Sequence, residues 1–195
     1  MILINGDSFT TGEESSIAWP SLLPYDVVSL AQPGVSNDYI VRSTVEYLER
    51  DIDMTVKQVI IAWTTPNRIE ISGQHLTPTS GKKYGAVIDA VFSNWDEDWA
   101  YDKFISQVEL LNSYLHHCDI PHMFVSTFDI QARANTKDLG FFTKNKYLGW
   151  PHEGIVEWMG DCPKGPGGHP LEIGHQRIAE KINEYIRYSG WFSRR

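Results

Sequence analysis

Four separated segments carry residues whose types could act together on an acyl carbonyl. Gly6-Asp7-Ser8 offers a hydroxyl just past an apolar opening run, Ile2-Leu3-Ile4. Ala31-Gln32-Pro33-Gly34-Val35-Ser36-Asn37 offers a glycine whose backbone can be approached closely. Thr64-Thr65-Pro66-Asn67-Arg68 offers hydroxyl and amide donors, and Gly165-Pro166-Gly167-Gly168-His169-Pro170 offers an imidazole. A serine hydroxyl is a poor nucleophile until a base removes its proton. Histidine is the usual base near neutral pH. The oxyanion that follows needs donors already in place. Ser8 and Gly34 can supply backbone N–H groups, and Thr65 or Asn67 a side-chain donor. Together these are most of the parts of serine-based acyl transfer.

Those parts must be held by a scaffold. Strand-length apolar runs recur at Ile2–Ile4, Asp26–Leu30, Val59–Trp63 and His122–Ser126, and a fifth is expected near Ile155-Val156. Val59-Ile60-Ile61-Ala62-Trp63 is apolar throughout, as a central parallel strand requires. Between the runs lie helical patterns. One is capped by Ser36 or Asn37 and carries Ile40, Val41, Val45, Leu48 and Ile52. A second covers about Glu97 to His117, and a third about Leu171 to Tyr188, each with apolar residues at three-and-four spacing. Strands alternating with helices predict parallel crossovers and a three-layer α/β/α domain. In such sheets ligands bind outside the carboxyl ends of the strands, where all four segments fall. Residues 66–96 break the rhythm. Ile69 to Leu76 reads as a hairpin, and Pro78 and Gly81 mark irregular chain beyond it. This insertion is read as a lid, a subunit contact or both.

The four segments resemble the SGNH hydrolases, also called GDSL-like esterases and lipases. Gly6-Asp7-Ser8 matches their first block, Gly34 the glycine of the second, and His169-Pro170 the histidine block that opens the last helix. The resemblance runs from Gly6 to the final helix in the family's block order. It implies a flavodoxin-like parallel sheet of five strands ordered 2-1-3-4-5, within a single domain over residues 1–195. It also implies Ser8 as nucleophile and His169 as base. Two blocks depart from the pattern. Trp63-Thr64-Thr65-Pro66 stands where Gly-x-Asn-Asp is usual, so Thr65 falls at the oxyanion asparagine, with Asn67 two residues later. Pro166 stands where an aspartate normally precedes the histidine by three residues. Asp161, on the same loop, is the candidate to orient His169; the alternative is a backbone carbonyl and a Ser8–His169 dyad. The implied activity is that of an esterase or O-deacetylase acting on small acyl esters, carbohydrate esters among them, with no cofactor. The altered blocks motivate a second reading, a binding or structural module that kept the scaffold.

Composition narrows the field further. A chain of 195 residues with 42% hydrophobic and 22% charged side chains can bury a core without staples. A net charge of −8 argues against binding a phosphate backbone. No apolar run reaches membrane-span length. Met1 leads directly into the first strand without a basic and apolar leader, so a cytoplasmic protein is expected, with release by lysis or within a particle left open. Cys118 and Cys162 read as free thiols. His116, His117, Cys118 and His122 lack a second ligand pair at metal spacing, and no metal is expected. The Thr10–Ser16 stretch lacks the Gly-Lys-Ser/Thr ending of a phosphate loop. Asn37 and Asp38 are first a helix start, and Arg68 and Glu70 an ion pair. Trp95 and Trp99 are read first as cover for the sheet edge, and second as an aromatic wall for a sugar or acyl group. Self-association is left open.

Overall fold

The computed structural model describes residues 1–51, 53–77, 81–128, 147–149 and 153–188, without the side chains of 81–83. Four parallel strands form the central sheet: β1 (Ile2–Asn5), β2 (Val27–Ser29), β3 (Gln58–Trp63) and β6 (His122–Ser126). Their order is β2-β1-β3-β6, the expected 2-1-3-4 arrangement. Every residue of β1, β3 and β6 is buried, while β2 at the edge is half covered. The fully apolar run in β3 thus marks a strand with helices on both faces.

Strand alternation sorts the side chains into two cores. Ile2, Ile4, Ile60, Ala62, Met123 and Val125 face one side. There they meet Trp19 from a short 3-10 turn (Trp19–Leu22), α5 (Ile155–Met159) and α6 (Glu172–Tyr188). Leu3, Val59, Ile61, Trp63 and Phe124 face the other side, against α2 (Asn37–Arg50) and α4 (Glu97–His117). Phe104, Val108, Leu111 and Leu115 repeat at helical spacing along α4 and are almost completely buried. Each such burial contributes about 1.5–3 kcal/mol. Ser36 caps α2 by accepting from Tyr39 N. Asp96 caps α4, accepting from Asp98 N at 2.9 Å and Trp99 N at 3.1 Å. The result is the expected three-layer α/β/α fold.

Two expectations change. Ile155-Val156 is not a strand but the start of α5. Gly154 N donates to Glu157 Oε2 at 2.7 Å, and Ile155, Trp158 and Met159 bury one helical face. A two-residue apolar pair does not distinguish the periods; the residues at three-and-four spacing do. The fifth sheet position is marked by Tyr147, which forms a single parallel bridge with Phe124. Second, the chain from Gly81 is not irregular but helical, α3 (Gly81–Phe92), with a kink at Tyr84 (φ −129°, ψ 27°). Pro78 lies outside the described residues.

The rest of the insertion follows the expectation. β4 (Ile69–Ile71) and β5 (Gln74–Leu76) pair antiparallel through a Ser72-Gly73 turn with φ of 51° and 75°. Two successive positive φ values suit the twist of a tight hairpin. Ile69, Leu76 and Ile88 form a small separate core with Tyr84, Val91, Phe92 and Trp95 packed around it. The hairpin is tied to α2 by Arg42–Glu70 at 2.7 Å and by Glu70 N donating to Asp38 Oδ2 at 3.3 Å. Glu70 therefore does not pair with Arg68, which turns toward the sheet. Trp95 packs edge-on against Trp99 at 5.6 Å and close to Phe92 at 4.7 Å. Trp99 is half exposed, with Lys103 Nζ over its ring at 5.8 Å.

Candidate active site at the carboxyl edge of the sheet

The tip of β1 is built by hydrogen bonds that leave little freedom. Asn5 Nδ2 donates to Ile40 O, Ser43 Oγ and Thr44 Oγ1 of α2 at 3.1, 2.9 and 2.9 Å, and Asn5 Oδ1 accepts from Gly6 N. Position 6 must be glycine, because a Cβ there would sit 2.4 Å from Thr10 Oγ1 and 2.9 Å from Ala62 Cβ. The chain then turns into the four-residue α1 (Ser8–Thr11), which Gly12 ends at φ 77°. Ser8 is its first residue and is 3% exposed. Ser8 Oγ has no hydrogen-bond partner among the described residues.

Asp7, completely buried, gathers the segments that follow the other strands. Its carboxylate accepts from Thr64 Oγ1 at 2.6 Å and Arg68 Nη1 at 3.3 Å after β3. It also accepts from Thr127 Oγ1 at 3.4 Å after β6, and from Phe9 N at 3.1 Å within its own turn. Burial pushes its pKa up, opposed by these donors and the Arg68 charge. Asn37 completes the lattice. Its side chain donates to Thr64 O and accepts from Thr64 N, both at 3.0 Å. Arg68 Nη1 also reaches Val35 O at 3.4 Å. The segments after β1, β2, β3 and β6 are thereby joined through Asp7, Asn37, Thr64 and Arg68.

Around this lattice lie the other expected residues. Gly34 is exposed at φ 71°, with open space where a side chain would project. Thr65 Oγ1 accepts from Asn67 N at 3.4 Å. The Asn67 side-chain amide has no partner among the described residues. His169 lies at the same edge, its ring 5.1 Å from that of Phe9, the neighbour of Ser8. The structure does not place His169 in a hydrogen bond with Ser8 Oγ.

Two carboxylates hold the His169 ring. Nδ1 donates to Glu14 Oε2 at 2.9 Å, and Nε2 lies 3.4 Å from Glu13 Oε2. Glu14 Oε1 also accepts from Gly167 N at 2.7 Å, and Oε2 from His169 N at 3.3 Å. Glu14 has a left-handed backbone, φ 68°, which is uncommon for a residue with a side chain. Asp161 is elsewhere: its side chain is 99% exposed and accepts from Arg177 Nη1 at 3.1 Å. No sequence motif singles out Glu14, although it stands two residues past the glycine that ends the Ser8 turn. Asp7 is legible in the sequence only as part of Gly6-Asp7-Ser8.

Glu14 is held below the usual glutamate pKa, first by the Gly167 N–H and then by His169. A depressed folded-state pKa adds stability above the unfolded value and loses it as pH falls below about 4.3. The Tm difference between the wild type and Glu14→Gln is therefore expected to shrink as pH is lowered from 6 to about 3. A difference that stays constant over that range would contradict this.

Among the described residues, no group of three or more His, Cys, Asp or Glu side chains could hold a metal ion. His122 is buried, with its ring bonded to Ile120 O and Asn112 Oδ1. Both cysteines are free. Among the described residues, no helix is long and apolar enough to cross a membrane.

No protein-family model matches the chain, and no curated protein matches it. Solved structures do. Over 96% of its length the chain is similar to the psychrotrophic esterase EstA from Pseudoalteromonas sp., seen in a structure inhibited by monoethylphosphonate. Identity is 13%, the TM-score is 0.57, and 97% of EstA is covered. TesA gives the same identity and TM-score with 98% of that chain covered. A lipolytic G-D-S-L protein from Veillonella parvula is 14% identical at a TM-score of 0.53, with 95% of this chain and 97% of that one covered.

Proposed function

We propose that this chain, which has the fold of the SGNH hydrolases, is a serine esterase or O-deacetylase acting on small acyl esters, those on carbohydrate included. The observation that supports the reading is the packing of the His169 ring on Phe9, 5.1 Å between centroids, beside Ser8. The imidazole packs on the residue next to the hydroxyl, and its Nδ1 is engaged by a carboxylate. Such an arrangement leaves Nε2 as the proton acceptor.

In this reading Ser8 Oγ attacks the ester carbonyl carbon while His169 Nε2 takes the hydroxyl proton. The tetrahedral oxyanion is held by Ser8 N–H, Gly34 N–H and a side-chain donor. Asn67 suits that last part better than Thr65, because its amide is unengaged among the described residues. Collapse breaks the bond to the leaving alcohol, which receives the proton from Nε2. Water then attacks the acyl-serine through the same base, and Ser8 is regenerated with release of the acid. The four donors on Asp7 fix the geometry around the nucleophile without taking part in proton transfer. The titles of the structural neighbours, which name esterases and lipolytic proteins, support an ester as substrate; the fold alone would not.

The experiment is labelling with a fluorophosphonate, read by peptide mass, beside turnover of 4-nitrophenyl acetate. Modification at Ser8 with turnover above buffer is expected. No label at Ser8 together with turnover at the buffer rate would overturn the reading, in favour of a binding module on the same scaffold.

A further inference from the structure

We infer that Glu14 is the positioning residue for His169, replacing from the Ser8 loop the acid that the fold family's pattern puts three residues before the histidine. This deepens the proposed function and rests on it for its catalytic meaning. Three observations carry it. First, Pro166 occupies the usual acid position, and a proline offers neither a carboxylate nor an N–H. Second, Glu14 is fixed by three donors from the histidine loop: Gly167 N, His169 N and His169 Nδ1. Third, the glycine run beside His169 makes room for it. A Cβ at Gly165 would lie 2.7 Å from Glu14 Cβ and from Glu14 Oε2, and one at Gly167 would lie 3.0 Å from Oε2. The left-handed backbone of Glu14 fits the same account, because strain held at one residue is a signature of a constrained functional site.

The competing acids are less well placed. Asp161 is solvent-exposed and bonded to Arg177. Glu13 touches only Nε2, at 3.4 Å, and its side chain is 43% exposed, against 22% for Glu14. Glu13 also faces the nitrogen that must remain free for Ser8. Glu14 accepts a hydrogen bond from Nδ1–H, selects the tautomer with an unprotonated Nε2, and then faces the imidazolium formed when Ser8 gives up its proton.

The test has two readouts. In the free protein, nitrogen-15 spectra of the His169 ring report its tautomer. The wild type is expected to be the Nδ1–H form, and Glu14→Ala to lose that preference. With 4-nitrophenyl acetate, Glu14→Gln is expected to lower kcat roughly 10²- to 10⁴-fold, with KM within about threefold because ground-state binding is untouched. Glu13→Gln is expected to lose at least tenfold less. An unchanged tautomer in Glu14→Ala overturns the inference, whether or not the protein turns over ester. So does a kcat loss that follows Asp161→Asn or Glu13→Gln in place of Glu14→Gln. Absence of a fluorophosphonate label on Ser8 of the wild type, together with turnover at the buffer rate, would sink the esterase reading alone, since the tautomer experiment decides the Glu14 contact by itself.

Discussion

Replacing Ser8 with alanine is expected to lower kcat/KM by about 10⁴-fold or more while leaving the fold intact. On the proposed mechanism the size follows from the loss of the nucleophile, which no neighbouring hydroxyl can replace. Thr10 is buried and faces Gly6, and Thr11 Oγ1 donates to Ser8 O at 3.0 Å. The stability cost is small because Ser8 Oγ gives up no hydrogen bond to a described residue. A destabilisation of about 1 kcal/mol or less is expected. His169→Ala should cost a comparable factor, and the double variant should be little worse than the worse single one, because nucleophile and base act as a unit. Steady-state kinetics on the four proteins, with Tm as the folding control, checks this. Independent, multiplicative losses would argue that the two residues do not work together.

Asp7→Ala is expected to be the most destabilising single change at the sheet edge. It removes one carboxylate but strands four donors: Thr64 Oγ1, Thr127 Oγ1, Phe9 N and the Arg68 guanidinium, whose side chain is 15% exposed. Breaking a buried pair in this way costs about 3–5 kcal/mol. For a chain of this size that is a fall in Tm of roughly 6–20 °C. Asp7→Asn should be milder, since Oδ1 still accepts from Phe9 N. It also isolates the charge. Burial raises the Asp7 pKa, so the folded state holds the proton more tightly than the unfolded one. That contribution is present below about pH 3.9 and is lost as pH rises through the folded pKa. The Tm advantage of wild type over Asp7→Asn is thus expected to narrow from pH 4 upward. A widening gap would mean that the Arg68 charge outweighs burial.

Much of this edge was legible because its signals are local. Val59 to Trp63 is apolar without interruption, and only a strand covered on both faces asks for that. Phe104, Ile105, Val108, Leu111 and Leu115 at three-and-four spacing mark α4. Ser8 and Gly34 stand directly beyond strands, and His169 just before a helix, that the apolar pattern already locates. What escaped is what depends on chain segments meeting. Glu14 reaches His169 across 155 positions, and nothing near either residue announces the other. Arg68 was matched to its sequence neighbour Glu70, whereas folding turns it inward to Asp7 and leaves Glu70 to Arg42. Asp161 looked suitable because it shares a loop with His169, yet nearness along the chain does not set the direction of a side chain. Ile155-Val156 failed for another reason: two apolar residues satisfy either period.

The segment from Glu14 to Tyr25 is fastened to the last part of the chain at every few residues: Glu14 to Gly167 and His169, Ser16 to Glu172, Trp19 N to His175 Nδ1, and Tyr25 to Asn183. During translation, the two halves of that seam emerge about 8–30 s apart at ordinary elongation rates. Until the second half appears, the strand tip stays without its imidazole, and the nascent polypeptide carries an unaccompanied hydroxyl. Whatever chemistry this edge performs therefore begins only after residues 167–183 have been made.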